Sequence, residues 1–403
     1  MKRIDPSMEI QDYLVFGEYG GVNPSISDSS TYTFLEAEMM EEAFTEEKKG
    51  CFLYGRHKTP TNNYLGEALA RMEYTEAALP TASGMSAIHS TVMQLCSAGD
   101  HIICSRTVYG GTYALFKNIL SRLDISTTFV DIQDLNAVEK AYQPNTRLIY
   151  CESLSNPLLG FSSIPDLSKI TRKHGIKLVV DNTFSPLLLS PARQGADIVI
   201  HSLTKFINGA SDCIAGCICS SKAFIDSLTD VNSGLCMLSG PVLDALRSAS
   251  ILKNLHTLHL RIKQHSKNAL FFANELQEYG FRVHYPGLES HPDHEGMKGL
   301  MNLEYGFGGI LAFDVGSVEK ARDLVIAMQQ EQVGYFAVSL GFYKTLFSVP
   351  GSSTSSEIPE EDRKRMGLST GIIRISIGID NHPEESWKRM KKALKQIDKG
   401  SSS

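Results

Sequence analysis

Six short apolar runs set the terms for this chain: His101-Ile102-Ile103-Cys104, Thr128-Phe129-Val130, Leu148-Ile149-Tyr150-Cys151, Leu178-Val179-Val180, Ile198-Val199-Ile200 and Ile214-Ala215-Gly216-Cys217-Ile218. Continuous apolar runs of this length suit strands buried on both faces. Most are separated by stretches of helical length and character, and such alternation predicts an α/β domain: a mostly parallel sheet with helices on both faces. In sheets of that kind ligands sit at the carboxyl ends of the strands.

The flanking segments extend this reading. Leu65, Leu69 and Met72 mark one face of a helix, Glu76-Ala77-Ala78-Leu79-Pro80 reads as a strand entering a glycine-containing turn, and a helix is expected from Met85 to Cys96. Farther on, one long amphipathic helix is expected from Ala245 to Tyr279, followed by strand-like Gly309 to Phe313 and Ile372 to Ser376. The expected organisation is an arm at 1–55, the α/β domain at 56–245 and a smaller α+β domain at 246–403. The arm is polar, with one helix-like stretch from Thr33 to Phe44, and reads as a segment that packs on something else. Its acidic run Glu36 to Glu47 reads as a solvated helix face, and the tail Lys399 to Ser403 has nothing to bury and is expected to fray.

Composition narrows the function. The 39 lysines and arginines stand against 45 acidic residues, a net charge of -6, so no basic surface for nucleic acid or anionic membrane is implied and a small-molecule ligand is favoured. No run approaches the roughly 20 apolar residues of a membrane span, and the first residues lack the apolar core of a signal peptide, so a cytoplasmic location is expected. The 8 cysteines lack paired metal-site spacing and read as reduced core residues. His284, His291 and His294 fall in one polar segment without a fourth ligand spaced for zinc, so no metal is expected.

Chemistry concentrates at two strand ends. The run Lys177 to Val180 ends in Asp181-Asn182-Thr183, and Ala196 to Ile200 ends in His201-Ser202-Leu203-Thr204-Lys205, which brings Asp181 and Lys205 to one edge of the sheet. The pair is either a salt bridge or the two contacts of one cofactor: an aldehyde condensed with Lys205 as a Schiff base, and a pyridine nitrogen kept protonated by Asp181. Ser202 and Thr204 then supply hydroxyls for a phosphate. Ala82-Ser83-Gly84-Met85-Ser86 opens a helix whose exposed N–H groups can take a phosphate, or is simply a tight turn with an N-cap serine. It carries no GxGxxG, so a dinucleotide site is not supported.

Taken together, Tyr54-Gly55-Arg56, Ser83-Gly84-Met85, Val108-Tyr109-Gly110-Gly111, Glu152-Ser153 with Asn156-Pro157, Asp181-Asn182-Thr183, Ser202-Leu203-Thr204-Lys205, Ser339-Leu340-Gly341 and Arg374 resemble the cysteine/methionine-metabolism branch of the fold type I, aspartate aminotransferase-like pyridoxal-phosphate enzymes. The resemblance runs from about Ser29 to the end. It implies that Lys205 holds pyridoxal 5'-phosphate and that Gly84 and Met85, with Ser83, Ser202 and Thr204, take its phosphate. By the same resemblance Asp181 meets the ring nitrogen, Asn156 the ring hydroxyl, and Tyr109 stacks on the ring and exchanges protons with substrate. Tyr54 and Arg56 look like the pair that reaches the phosphate from a neighbouring subunit, in a homotetramer built as a dimer of dimers. Arg374 looks like the clamp for the substrate carboxylate, with Ser339 beside it, and an arginine flanked by Ile372, Ile373 and Ile375 needs an anion to offset its burial.

Within that branch, Val338 resembles the apolar residue of methionine gamma-lyases, where cystathionine gamma-lyases typically have glutamate. Ala337 to Gly341, Gly351 to Glu357 and Tyr285 to Glu289 look most like the plant-type enzymes. Many bacterial relatives carry cysteine where Gly111 stands, which brings homocysteine and cysteine into range as co-substrates. The implied activity is that of a carbon-sulfur lyase of sulfur amino acid metabolism: gamma-elimination of L-methionine to methanethiol, 2-oxobutyrate and ammonia, with Lys205 and Tyr109 as the catalytic residues. The alternatives are a cystathionine gamma-lyase of transsulfuration, a gamma-replacement enzyme such as an O-acetylhomoserine sulfhydrylase, or, more remotely, a non-catalytic protein that binds the cofactor.

Overall fold

The computed structural model describes residues 5–45, 51–352 and 369–400. The expected runs become β2 (His101–Ser105), β3 (Ser126–Val130), β4 (Thr146–Glu152), β5 (Lys177–Asp181), β6 (Ile198–His201) and β7 (Gly216–Ser220), preceded by β1 (Ala77–Thr81). They form one seven-stranded sheet in the order β1-β7-β6-β5-β4-β2-β3. From β3 to β6 every pairing is parallel, and β7 runs antiparallel to both β6 and β1.

Alternate residues of these strands feed opposite faces, which is why the runs had to be apolar throughout. Ile102, Leu148, Tyr150 and Ile200 pack with Ile88 and Val92 of the helix Gly84–Leu95. On the other face, Ile103, Ile149, Leu178 and Val180 pack with Ile164 and Leu167 of the helix Ile164–His174. Leu65, Leu69 and Met72, on the helix Pro60–Glu73, cover Val199, Cys217 and Cys219.

A second sheet of five strands, order β10-β11-β12-β9-β8, comprises β8 (Arg282–His284), β9 (Ile310–Asp314), β10 (Tyr335–Phe336), β11 (Leu346–Ser348) and β12 (Ile372–Ser376). Leu311, Phe313, Ile373 and Ile375 pack on Phe272 and Leu276, and on Trp387, Met390 and Leu394 of the helix Pro383–Gly400. Truncating any one of these fully buried large side chains to alanine would cost about 2–5 kcal/mol.

Four expectations shift. The long helix is two, Ala245–Leu255 and Leu258–Glu278. At the break the Asn254 carbonyl accepts from Thr257 N at 3.2 Å and from the Arg261 guanidinium at 2.9 Å, so Arg261 satisfies a backbone group that the interruption frees. β7 begins two residues later than the run at Ile214, because the backbone of Ala215 is engaged by the Thr204 hydroxyl, which accepts from Ala215 N at 3.0 Å and donates to its carbonyl at 3.2 Å. The arm holds two helices among its described residues: an unexpected Pro6–Gln11, whose Ile10 packs in one cluster with Leu65, Leu69 and Met72 of this same chain, and Ala37–Thr45, later than Thr33 to Phe44, with Glu46 and Glu47 outside the described residues. The terminal helix runs to Gly400, and residues 401–403 lie outside the described ones, as do 353–357 of the serine-rich segment.

All 8 cysteines are unpaired, and Cys217 and Cys219 share one face of β7 with their sulfurs 3.6 Å apart. His294 Nδ1 bonds the Pro286 carbonyl at 2.7 Å and its ring stacks on Phe307, while His291 Nδ1 accepts from Asp293 N, so these histidines serve local packing. Among the described residues no helix is long and apolar enough to cross a membrane.

Candidate active site

Three strands end side by side in polar residues. Glu152 closes β4, Asp181 closes β5 opposite Glu152, and His201 closes β6 one residue past the partner of Asp181. Past His201 the chain turns, and Lys205 enters a cavity of about 300 Å³ between the two sheets. Asp181, Glu152, Tyr109, Asn156, Ser339 and Arg374 also line it.

Lys205 is not paired with Asp181, so the salt-bridge alternative fails; its Nζ donates to Ser339 Oγ at 3.0 Å. Burial, with the Arg374 cation nearby, pulls its ammonium down to about 8. Ser339 sits at φ 98°, a conformation costing on the order of 1–3 kcal/mol in a residue other than glycine, and it is held there from two sides. Its hydroxyl takes the Lys205 bond, and its carbonyl accepts from Arg374 at 3.1 Å.

Arg374, on β12, is 3% exposed and also donates to Asn156 Oδ1 at 3.1 Å. Its Nε is buried without a hydrogen-bond partner, and burial lowers its guanidinium to about 10. A cation held this way has unused donor capacity for an anion in the cavity. Glu152 accepts from Tyr109 N at 2.6 Å and from Asn156 N at 3.2 Å, so one carboxylate fixes the backbone of both cavity residues. Burial raises the Glu152 and Asp181 carboxyls, and the adjacent Asp181 raises Glu152 further. Against burial, the hydroxyl and N–H of Thr183, the His201 charge and the Tyr150 hydroxyl pull Asp181 back.

At the other end, Ser83 caps the helix Gly84–Leu95 in a reciprocal box with Ser86: Ser83 Oγ accepts from Ser86 N at 2.9 Å, and Ser86 Oγ accepts from Ser83 N at 3.0 Å. The turn is packed so tightly that glycine is required twice. A Cβ on Gly84 would meet Ser202 Cβ at 2.8 Å, and one on Gly216 would meet the Ser83 carbonyl oxygen at 2.2 Å. The helix N-terminus and the Ser202 segment thereby flank one corner of the cavity, a geometry suited to a phosphate.

The structure brings Lys205, Tyr109, Ser83, Gly84, Met85, Asn156, Asp181, Ser202, Thr204, Val338, Ser339 and Arg374 together around this cavity. It does not bring Tyr54 and Arg56 there. They lie together, Arg56 5.6 Å from the Tyr54 ring centre, with Arg56 lining a separate cleft beside Pro80 and Lys222. The Thr204 hydroxyl is occupied by the Ala215 backbone. Sequence reasoning assigned no role to Glu152, Thr183, Tyr150, Gly216, Phe184 or Ile214; Glu152 carried the same signal as Asp181, an acid closing an apolar run.

This chain belongs to the Cys/Met metabolism PLP-dependent enzyme family, whose model matches residues 12–395. It is 43% identical over 385 residues to a methionine gamma-lyase of Arabidopsis thaliana, covering 94% of this chain and 87% of that one. It is 38% identical over 368 residues to an L-methionine gamma-lyase of Fusobacterium nucleatum subsp. polymorphum, covering 90% and 91%. Among solved structures, a putative O-acetylhomoserine (thiol)-lyase of Campylobacter jejuni superposes with a TM-score of 0.90 at 28% identity, covering 97% of this chain and all of that one; it carries N'-pyridoxyl-lysine-5'-monophosphate. Pyridoxal phosphate fits the residues present here: a desolvated amine, a buried carboxyl for a ring nitrogen, a glycine-lined helix N-terminus for a phosphate, and an arginine with an unpartnered donor for a carboxylate.

Proposed function

We propose that the chain catalyses the gamma-elimination of L-methionine, with homocysteine as a further substrate for gamma-elimination and cysteine as one for beta-elimination; methionine and water give methanethiol, 2-oxobutyrate and ammonia. The observation that carries this reading is the lining of the cavity: its four charged residues, Glu152, Asp181, Lys205 and Arg374, are taken up by the backbone of Tyr109 and Asn156, the cofactor and the substrate carboxylate in this reading, while Ile88, Leu154, Phe184, Ile214, Val338 and Leu340 supply the apolar part of its wall. A thioether tail suits that wall, whereas a second ammonium there would lack a partner.

Lys205 would hold the cofactor, Gly84, Met85, Ser83 and Ser202 its phosphate, Asp181 its ring nitrogen and Asn156 its ring hydroxyl. Bound pyridoxal phosphate supplies an electron sink for negative charge developed beside the substrate amine. Arg374 would fix the substrate carboxylate through its unused Nε, and Ser339 would hold the Lys205 amine toward the substrate. Lys205, displaced by the substrate amine, would move the Cα and Cβ protons, and Tyr109, with its backbone pinned by Glu152, would protonate the departing thiolate.

Neither Tyr54 nor Arg56 lines the cavity of its own chain, which supports their service to a partner subunit and a homotetramer arranged as a dimer of dimers. The arm at 1–55, the cofactor domain at 56–245 and the C-terminal domain at 246–403 would be its units, in a cytoplasmic enzyme. Gamma-replacement is the second reading: an open groove of about 760 Å³ adjoins the cavity through Thr204, Ile214, Val338 and Ser339, room for an incoming thiol. Purified protein with pyridoxal phosphate, offered methionine, homocysteine, cysteine and cystathionine in turn, should release most 2-oxo acid from methionine. Turnover that requires an activated homoserine ester plus a thiol would establish replacement instead.

A further inference from the structure

The segment that carries His291 and His294 lines neither the cavity nor the groove beside it, yet its Asp293 is bonded into the loop that delivers Asn156. Asp293 is the N-cap of the helix His294–Leu300, a place where an aspartate ordinarily accepts from the second or third backbone N–H of its own helix. Here its side chain makes no such bond. Asp293 Oδ2 accepts instead from Phe161 N at 2.9 Å, and both of its oxygens accept from Gln133 Nε2 at 3.1 Å. The same Gln133 nitrogen donates to the Phe161 carbonyl at 3.0 Å, so one carboxyl group and one amide hold both backbone groups of Phe161. The anchor is itself fixed: Asp293 N donates to His291 Nδ1 at 3.2 Å, and its carbonyl accepts from Met297 N at 2.9 Å.

The loop from Leu154 to Phe161 passes that hold on to Asn156. Leu154 and Phe161 face each other in an isolated antiparallel bridge. Ser155 N donates to the Gly160 carbonyl, Gly160 N to Ser155 Oγ and Leu159 N to the Ser155 carbonyl, each at 3.0 Å. A Cβ on Gly160 would meet Ser155 Oγ at 3.2 Å, so the loop closes tightly on itself. Asn156 lies buried within it, its N–H on Glu152 and its Oδ1 taken by Arg374. Because Oδ1 already accepts, Nδ2 is the end left to donate to a ring oxygen in the cavity. The C-terminal part of the chain therefore grips this loop twice, through Arg374 at Asn156 and through Asp293 at Phe161.

We propose that Asp293, with Gln133 as its partner, is a positioning residue for the cofactor, acting through Phe161 and its loop to set Asn156 against the ring hydroxyl. The inference rests on the reading of Asn156 as the ring-hydroxyl contact.

The test uses full-length apoproteins titrated with pyridoxal 5'-phosphate. Affinity is read from cofactor absorbance, the seating of the ring from the visible circular dichroism of the bound cofactor, and folding from the melting temperature. Asn156→Ala should bind about tenfold more weakly and Asp293→Ala about fivefold, each with a diminished visible band. Asp293→Ala added to Asn156→Ala should weaken binding no further, because the two act in series. Asp293→Asn keeps an acceptor for Phe161 N and should keep most of the affinity and the band. Gln133→Ala changes an exposed side chain and should weaken binding about threefold, again with no further loss in Asn156→Ala, which covers the case in which Asp293→Ala fails to fold. Losses that add in the double variants, or a lower melting temperature in Asp293→Ala with affinity and band unchanged, would mean a packing role and overturn the inference. If Asn156→Ala binds the cofactor normally, the reading of Asn156 itself falls, and with it this inference.

Discussion

Lys205 permits the most quantitative forecast. An exposed lysine has a pKa near 10.5, so at pH 7 only about one amine in 3,000 is neutral and able to attack an aldehyde. Lowered to about 8 by burial and by Arg374, about one in ten is neutral, roughly a 300-fold gain in nucleophile. The rate at which apoprotein covalently captures pyridoxal phosphate, followed by stopped-flow absorbance, should therefore rise about tenfold per pH unit below 8 and level off above it. Arg374→Met removes the second cause, so its bend should move to higher pH and its rate at pH 7 should fall. A rate that climbs unbroken past about pH 9, or a bend that ignores Arg374→Met, would refute the account of this lysine.

The same shift has a consequence for stability. Because the folded pKa lies below the unfolded one, the folded state resists protonation of Lys205: the cost is full below about 8 and fades as pH rises toward 10.5. Lys205→Met should stabilise the apoprotein at pH 7 by about 3 kcal/mol less about 1 for the lost Ser339 bond, with a melting-temperature gap that closes in alkali. Gly84→Ala forces a Cβ to 2.8 Å from Ser202 Cβ; at about 1–3 kcal/mol of overpacking, cofactor titration should show affinity about 5- to 150-fold weaker. Chains carrying Arg56→Ala and chains carrying Lys205→Ala should each be inactive, while dimers re-formed at random from an equal mixture regain about a quarter of native activity, because about half of them are hybrids and each hybrid holds one intact site of its two. A hybrid without recovery would refute the shared site.

The sheet was legible because its strands are buried on both faces, so Leu148 to Cys151 and Leu178 to Val180 could not afford polar residues. Their polar terminators then pointed to the site, and Asp181 and Lys205 emerged at one edge as expected. Interruptions were less legible. The break after Leu255 and the late start of β7 depend on Arg261 and Thr204 satisfying backbone groups from a distance, and neither leaves a mark on local periodicity. Glu152 was named within a motif but given no role, since its work is done through backbone N–H groups of Tyr109 and Asn156. The requirement for glycine at 216 comes from the Ser83 carbonyl, a contact that only the fold creates.

The central claim is that this cavity breaks a carbon-sulfur bond in methionine with Lys205 as the proton carrier. Purified protein loaded with pyridoxal phosphate should convert methionine to methanethiol and 2-oxobutyrate in equal amounts, and Lys205→Ala should yield neither. Equal release of both products that persists in Lys205→Ala, or no 2-oxobutyrate from methionine, homocysteine or cystathionine, would contradict it.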